Sequence, residues 1–156
     1  MSPSLKYWDG AAWQVLLGAA PTVTYPGTEL DYKQITADVS ITGTSEATAQ
    51  NVIVGNAVTY DGTRVKVEAW IPLTVPGGGS FYGLLYRDAT LIGQFSMGDA
   101  AATARSMAYG VGFDTPPAGS HTYSMKAWTA SGTSVVRLTP GTNANFAPAF
   151  LRVTKA

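Results

Sequence analysis

AGSHTYSMKAW, residues 118–128, and PAFLRVTKA, residues 148–156, are the stretches on which the fold of this chain turns. Pro116, Pro117 and Gly119 stop one strand and turn the chain. From His121 onward the residues alternate, with Tyr123, Met125 and Ala127 on one face and Ser124, Lys126 and Trp128 on the other. A period of two places one face of a strand on a core and leaves the second to meet something else.

The same period extends outward along the chain. Ile35, Ala37, Val39 and Ile41 alternate with Thr36, Asp38, Ser40 and Thr42, and after a loop over residues 43–48 the pattern resumes with Val52, Val54, Val58 and Tyr60. The Asp61 and Gly62 turn leads to Val65, Val67, Ala69 and Ile71 on one face, with Lys66, Glu68 and Trp70 on the nominally wet one. Gly77 to Gly79 form a flexible connection, since no Lys and Ser or Thr follow to make a phosphate loop. Residues 81–87 and 90–97 read as a hairpin closed around Asp88 and Ala89. Tyr82, Leu84 and Tyr86 oppose Phe81 and Leu85, so this strand is apolar on both faces and covered on both. Residues 99–105 are alanine-rich and fit one helical turn in a loop. Over residues 105–113 a bulky face of Met107, Tyr109, Val111 and Phe113 backs a nearly bare face of Ser106, Ala108, Gly110 and Gly112, which admits another backbone or a large aromatic ring. Residues 135–138 and 149–153 supply the last strands. About eight strands with frequent turns predict an all-β, antiparallel β-sandwich of the jelly-roll type over residues 29–156. Residues 1–28 predict a short N-terminal arm or hairpin, whose Tyr7, Trp8 and Trp13 are too many aromatics for a solvated tail.

Charged residues are only 13 % of the chain, against roughly 25 % in ordinary soluble domains, so more surface than usual is expected to be covered, most simply by a subunit interface. Ten basic and ten acidic residues cancel, which gives no field to attract nucleic acid or an anionic membrane. No run reaches the length of a membrane span, and the start lacks the regions of a signal peptide. Without cysteine there is neither a disulfide framework nor a thiolate metal site. His121 is the only histidine, which excludes a histidine metal cluster, and at a strand start it suits capping or packing. No G-x-S-x-G elbow occurs, and among Asp38, Glu46, Glu68 and Asp88 no pair is marked out for glycosidase work. No catalytic residue, cofactor or metal is expected. What stands out is aromatic. Trp70, Tyr82, Tyr86 and Trp128 lie on faces that the alternation turns away from the core. They are open to three readings: a subunit interface, a platform for stacking saccharide rings, or core reached through a different register. The first is adopted, because interfaces concentrate Trp and Tyr and because the charge is low.

AGSHTY followed by a strand, PAFLRVTKA, YDGTRVKVEAW at residues 60–70 and YRDATLIGQF at residues 86–95 together resemble the jelly-roll module of small virion and minor tail proteins of tailed phages, particularly those infecting actinobacteria. The opening KYWDGAAWQVL is similar to the short tryptophan-containing segment that precedes or links such modules. These are turn and strand signatures over residues 31–156, and none is catalytic. The resemblance implies a homotrimer like the jelly rolls of the tumour-necrosis-factor type, with the strands beginning near Arg64, Phe81 and His121 supplying core and interface rows. It implies partnership with other virion proteins, in capsid or tail, and location in the virion after synthesis in the bacterial cytoplasm. Family members often end long tail proteins, whereas only a short arm precedes the domain here, so a capsid decoration or head-fibre subunit is also expected. A module that binds host cell-surface glycan is the alternative.

Overall fold

The computed structural model describes residues 6–8, 13–15, 26–35, 37–75, 79–97, 106–136 and 147–156. Its strands in chain order are β1 (Lys6–Trp8), β2 (Trp13–Val15), β3 (Glu29–Ile35), β4 (Val39–Ile41), β5 (Gln50–Asp61), β6 (Val65–Val75), β7 (Phe81–Arg87), β8 (Thr90–Met97), β9 (Ser106–Asp114), β10 (Ala118–Thr129), β11 (Ser134–Val136) and β12 (Ala149–Lys155). One 3-10 turn, Glu46–Thr48, lies in the loop before β5. The N-terminal pair β1 and β2 is an antiparallel hairpin that sets Trp8 opposite Trp13. The alanine-rich segment 99–105 and residues 77 and 78 of the glycine connection lie outside the described residues.

The eight longer strands pair as nested hairpins: β7 with β8, β6 with β9, β5 with β10 and β3 with β12, all antiparallel. A long hairpin rolled in this way distributes its rungs over two sheets, here β5-β10-β7-β8 and a six-stranded sheet built on β3-β12-β6-β9 with the short β11 and β4 beyond. Each sheet turns its apolar row inward. Val65, Val67, Ala69 and Ile71 of β6 meet Tyr123, Met125 and Ala127 of β10 in one buried cluster that includes Ile53, Phe81, Leu85, Leu151 and Val153.

The sequence leaves the direction of β9 open, and the structure corrects its reading of β5. The bare face of β9 points inward: Ala108, Gly110 and Gly112 are buried, and the bulky row is the exposed one. The reason is Phe95 of β8, whose ring lies over Gly110 and Gly83, where a Cβ on either glycine would overlap it. The alternation of β5 is also interrupted. Its pairing with β10 slips between Thr122 and Ser124 and again between Met125 and Lys126, so Val52 and Ile53 are consecutively buried while Val54 turns outward. The first slip falls at Gly55 and Asn56, where the buried Asp31 carboxylate accepts hydrogen bonds from the Asn56 backbone N (2.9 Å) and Nδ2 (2.8 Å). Asp31 belongs to β3 and Asn56 to β5, so this carboxylate ties the open edges of the two sheets together.

Candidate functional site

The outward face of the six-stranded sheet carries the largest departure from an ordinary surface. Pairing places Tyr109, Trp70, Phe150 and Gln34 in one row across β9, β6, β12 and β3, and Val111, Glu68, Arg152 and Tyr32 in the next. Trp70 packs on Phe150 with ring centroids 5.8 Å apart, and Phe150 on Tyr32 at 5.7 Å. Met107, Tyr109, Val111 and Phe113 stand exposed beside them, Met107 at 63 %. Scattered apolar residues on a surface need no explanation, whereas this cluster, spread over four adjacent strands, makes the face the candidate for an interaction surface.

Within this patch sits an acid. Glu68 is only 4 % exposed although it points outward, because its neighbours cover it. The Tyr109 hydroxyl donates to Glu68 Oε1 at 2.5 Å, Arg152 Nη2 and Nε donate to Oε2 at 2.8 and 3.2 Å, and Lys66 Nζ pairs with Oε1 at 2.8 Å. Desolvation pushes the carboxyl pKa up, yet the bonds from Lys66, Tyr109 and Arg152 outweigh it and hold the group at about 2. A charge already satisfied by its own chain does not become stranded when the face is covered.

This shift has a sign. Since the folded value lies below the ordinary 4.5, the ionised group stabilises the fold fully above that pH, and the contribution drains away as pH falls toward 2. Glu68→Gln is expected to lose about 2 kcal/mol at neutral pH, and its gap from the parent should close across that acid window. Urea unfolding of both proteins at a series of pH values checks this; a gap of constant size would contradict it.

The four rings singled out from the sequence do not come together. Trp70 is on the six-stranded sheet, whereas Tyr82, Tyr86 and Trp128 are on the outward face of the other. Tyr82 and Trp128 stack there, centroids 4.0 Å apart and 9° from parallel. Tyr86 is buried in its own protomer: Lys126 Nζ lies 4.4 Å above its ring, and its hydroxyl donates to Glu46 at 3.4 Å. It therefore offers a partner no ring face. Tyr7, Trp8 and Trp13 fall on the N-terminal hairpin, and their side chains lie outside what is described. The residues that sequence reasoning missed are Tyr32, Tyr109 and Phe150 with Met107, Val111 and Phe113. The signal available for the β9 members was the bulky row itself, whose direction the alternation leaves open.

The remaining polar clusters are structural. His121 Nδ1 lies 2.7 Å from Asp88 Oδ2 and Nε2 lies 3.1 Å from the Pro117 carbonyl, while the Thr122 N–H donates to Asp88 Oδ1 at 2.9 Å. These contacts pin the turn at Asp88, which takes a φ of 51° between β7 and β8. Arg87 Nη1 and the Tyr123 hydroxyl both donate to Asp114 Oδ2, at 2.7 and 2.8 Å. Lys155 is held by Asp61 and Thr63, and the ammonium lowers the Asp61 pKa. Among the described residues no group of three His, Cys, Asp or Glu is placed to hold a metal ion.

With the nested pairing and the two sheets in place, comparison with solved structures finds Eiger TNF from S. frugiperda, at 11 % identity and a TM-score of 0.54, covering 85 % of this chain and 94 % of that one. The sandwich is a jelly roll. A carbohydrate-binding module, CBM6cm-2 from Cellvibrio mixtus lichenase 5A in complex with cellotriose, aligns more loosely, at 13 % identity and a TM-score of 0.39 over 80 % of this chain and 90 % of that one. No family model and no curated protein matches the chain. At these identities the likeness of the jelly roll is one of fold.

Proposed function

We propose that the chain is a self-assembling structural subunit of a phage particle. Three copies pack through the outward face of the six-stranded sheet, residues 1–28 attach the module to another virion protein through Tyr7, Trp8 and Trp13, and the sandwich projects outward. The observation that carries this reading is the contiguous face of Tyr32, Trp70, Met107, Tyr109, Val111, Phe113 and Phe150. It supplies the covered surface that the low charge content anticipates, and the self-satisfied Glu68 lets it be buried without a stranded acid. The number three and the virion setting rest on the resemblance of residues 31–156 to phage jelly-roll modules. Many copies on one particle turn individually weak attachments into firm ones. The reading assigns no catalytic step.

Light scattering at micromolar concentration is expected to give three times the protomer mass of 16.3 kDa. Removal of residues 1–26 should preserve the assembly of three protomers, at the lower mass of the shortened chain, while abolishing incorporation into particles. A monomeric parent protein overturns the assembly, and a truncated protein that still joins particles overturns the anchor.

A further inference from the structure

The outward face of the four-stranded sheet holds a shallow groove lined by Asn51 and Val54 of β5, Asp88 of the β7–β8 turn, and Thr122, Ser124 and Lys126 of β10. We infer that this groove binds a neutral saccharide chain.

The groove follows the outward row of β10, in which Thr122, Ser124, Lys126 and Trp128 project at every second position, a span of about 20 Å at the rise of a strand. Ser124 is 6 % exposed and lines the groove, yet its hydroxyl has no hydrogen-bond partner among the described residues. The side chains of Asn51 and Thr122 are likewise uncommitted, and Lys126 is engaged only with the Tyr86 ring. The Ser124 hydroxyl is not one of the fully buried unpaired atoms, to which this row contributes Trp128 Nε1 instead, so it opens on the groove and can bond a ligand in place of solvent. Together the four offer hydroxyl, amide and ammonium groups that donate and accept along one line. Val54, 43 % exposed, adds a patch on which the carbon–hydrogen face of a sugar ring can rest, and the stacked Tyr82 and Trp128 continue the row beyond it.

The geometry is imposed from beneath. Both register slips of β5 fall beside this groove, and such bulges re-aim the side chains next to them. They are what turn Val54 out and bring Asn51 opposite Lys126. The first is locked by Asp31 from the other sheet, and Gly55 there has no room for a Cβ against that carboxylate.

Charge selects the occupant. Lys126 is the one cation of the lining, and the single acid, Asp88, already accepts from Thr122 and faces His121. A nucleic acid or polyanionic glycan requires several cations tracking its charges. A peptide added as a strand would pair along the open edge of β5 and not across the face on which the groove lies, since β10 beneath it is paired on both sides. An uncharged polyol needs neither. The groove also lies on the opposite side of the sandwich from the proposed assembly face, so it stays open whether or not copies associate.

The test is a TROSY titration of the 15N-labelled full chain with cellohexaose, maltohexaose, chitohexaose and mannohexaose, and with hexagalacturonate as the anionic probe. At least one neutral probe is expected to bind at millimolar concentration and to shift amides of Asn51, Val54, Thr122, Ser124 and Lys126. Ser124→Ala and Lys126→Met, each checked for an intact spectrum, should weaken that binding roughly tenfold. Met107→Asp, at an exposed position on the other sheet, should leave per-protomer affinity unchanged even where it abolishes association, which separates this site from the assembly reading. The inference is overturned by the absence of shifts with all four neutral probes, by binding of hexagalacturonate alone, by shifts that map to the other sheet, or by parent-like affinity in both groove variants.

Discussion

Gly110→Ala is expected to lower stability by about 3 kcal/mol, a fall in melting temperature of about 10 °C for a chain of this size. A glycine inside a strand usually gains from such a change, by 0.4 to about 1 kcal/mol, because alanine restricts the unfolded chain. Here packing reverses the sign. A Cβ at Gly110 of β9 meets the Phe95 ring, and that ring has no path of retreat, because Gly83 of β7 holds its other side equally closely. Gly112, one pleat along, is the internal control: its added Cβ would meet the Leu85 methyl end at 3.3 Å, a flexible neighbour, and Gly112→Ala should be near neutral. Phe95→Ala alone should also cost about 3 kcal/mol. The double variant should cost little more than Phe95→Ala, since the clash vanishes with the ring. Thermal or urea unfolding of the four proteins measures the coupling, and simple additivity would show that Phe95 is not what Gly110 accommodates.

That contact also explains why part of the fold was legible in the sequence and part was not. The strand was readable over residues 121–129 because its inward row is uniformly apolar and its outward row mostly polar, so the period of two and the burial agree, although it begins at Ala118 and includes Gly119, which reads as a turn residue. The strand over residues 81–87 was readable as covered on both faces, and Leu84 and Tyr86 are indeed buried on its outward row. For β9 the period was visible and its direction was not. The bulky and bare rows were legible, and so was the room for a large ring against the bare one; that this ring is Phe95 of β8, and that the bare row therefore faces the core, was not. No local pattern reveals a ring contributed by another strand. The bulges of β5 were hidden for a similar reason, since they depend on Asp31, 25 positions before Asn56. As for the candidate site, Trp70 was found by alternation. Its partners Phe150 and Tyr32 became its neighbours only through the pairing of β6, β12 and β3, and Tyr82, Tyr86 and Trp128 were assigned to one surface with it because a one-dimensional pattern does not distinguish the outer faces of two sheets.

Met107→Asp combined with Val111→Lys is expected to reduce the particle mass from three protomers to one while leaving each protomer as stable as before. The two halves of this expectation come from one observation. Both positions are exposed in the protomer, at 63 % and 41 %, so placing charges there changes its intrinsic stability by no more than about 0.5 kcal/mol. Val111 also lies across from Glu68, so a lysine there faces a carboxylate, and the net charge of the chain is unchanged. In an assembly sealed by this face the new aspartate must leave water without a partner, and the lysine must share a Glu68 that Tyr109, Arg152 and Lys66 already engage, at a cost of several kcal/mol in every copy. Association cannot absorb that. The parent's melting temperature should therefore rise with protein concentration, as mass action requires of a folded oligomer, and the variant's should not. Tyr82→Asp on the opposite sheet serves as the control and should keep the parent's mass. If the double variant remains a trimer, copies do not meet through β9 and β6, and the exposed rows of the six-stranded sheet await a different protein.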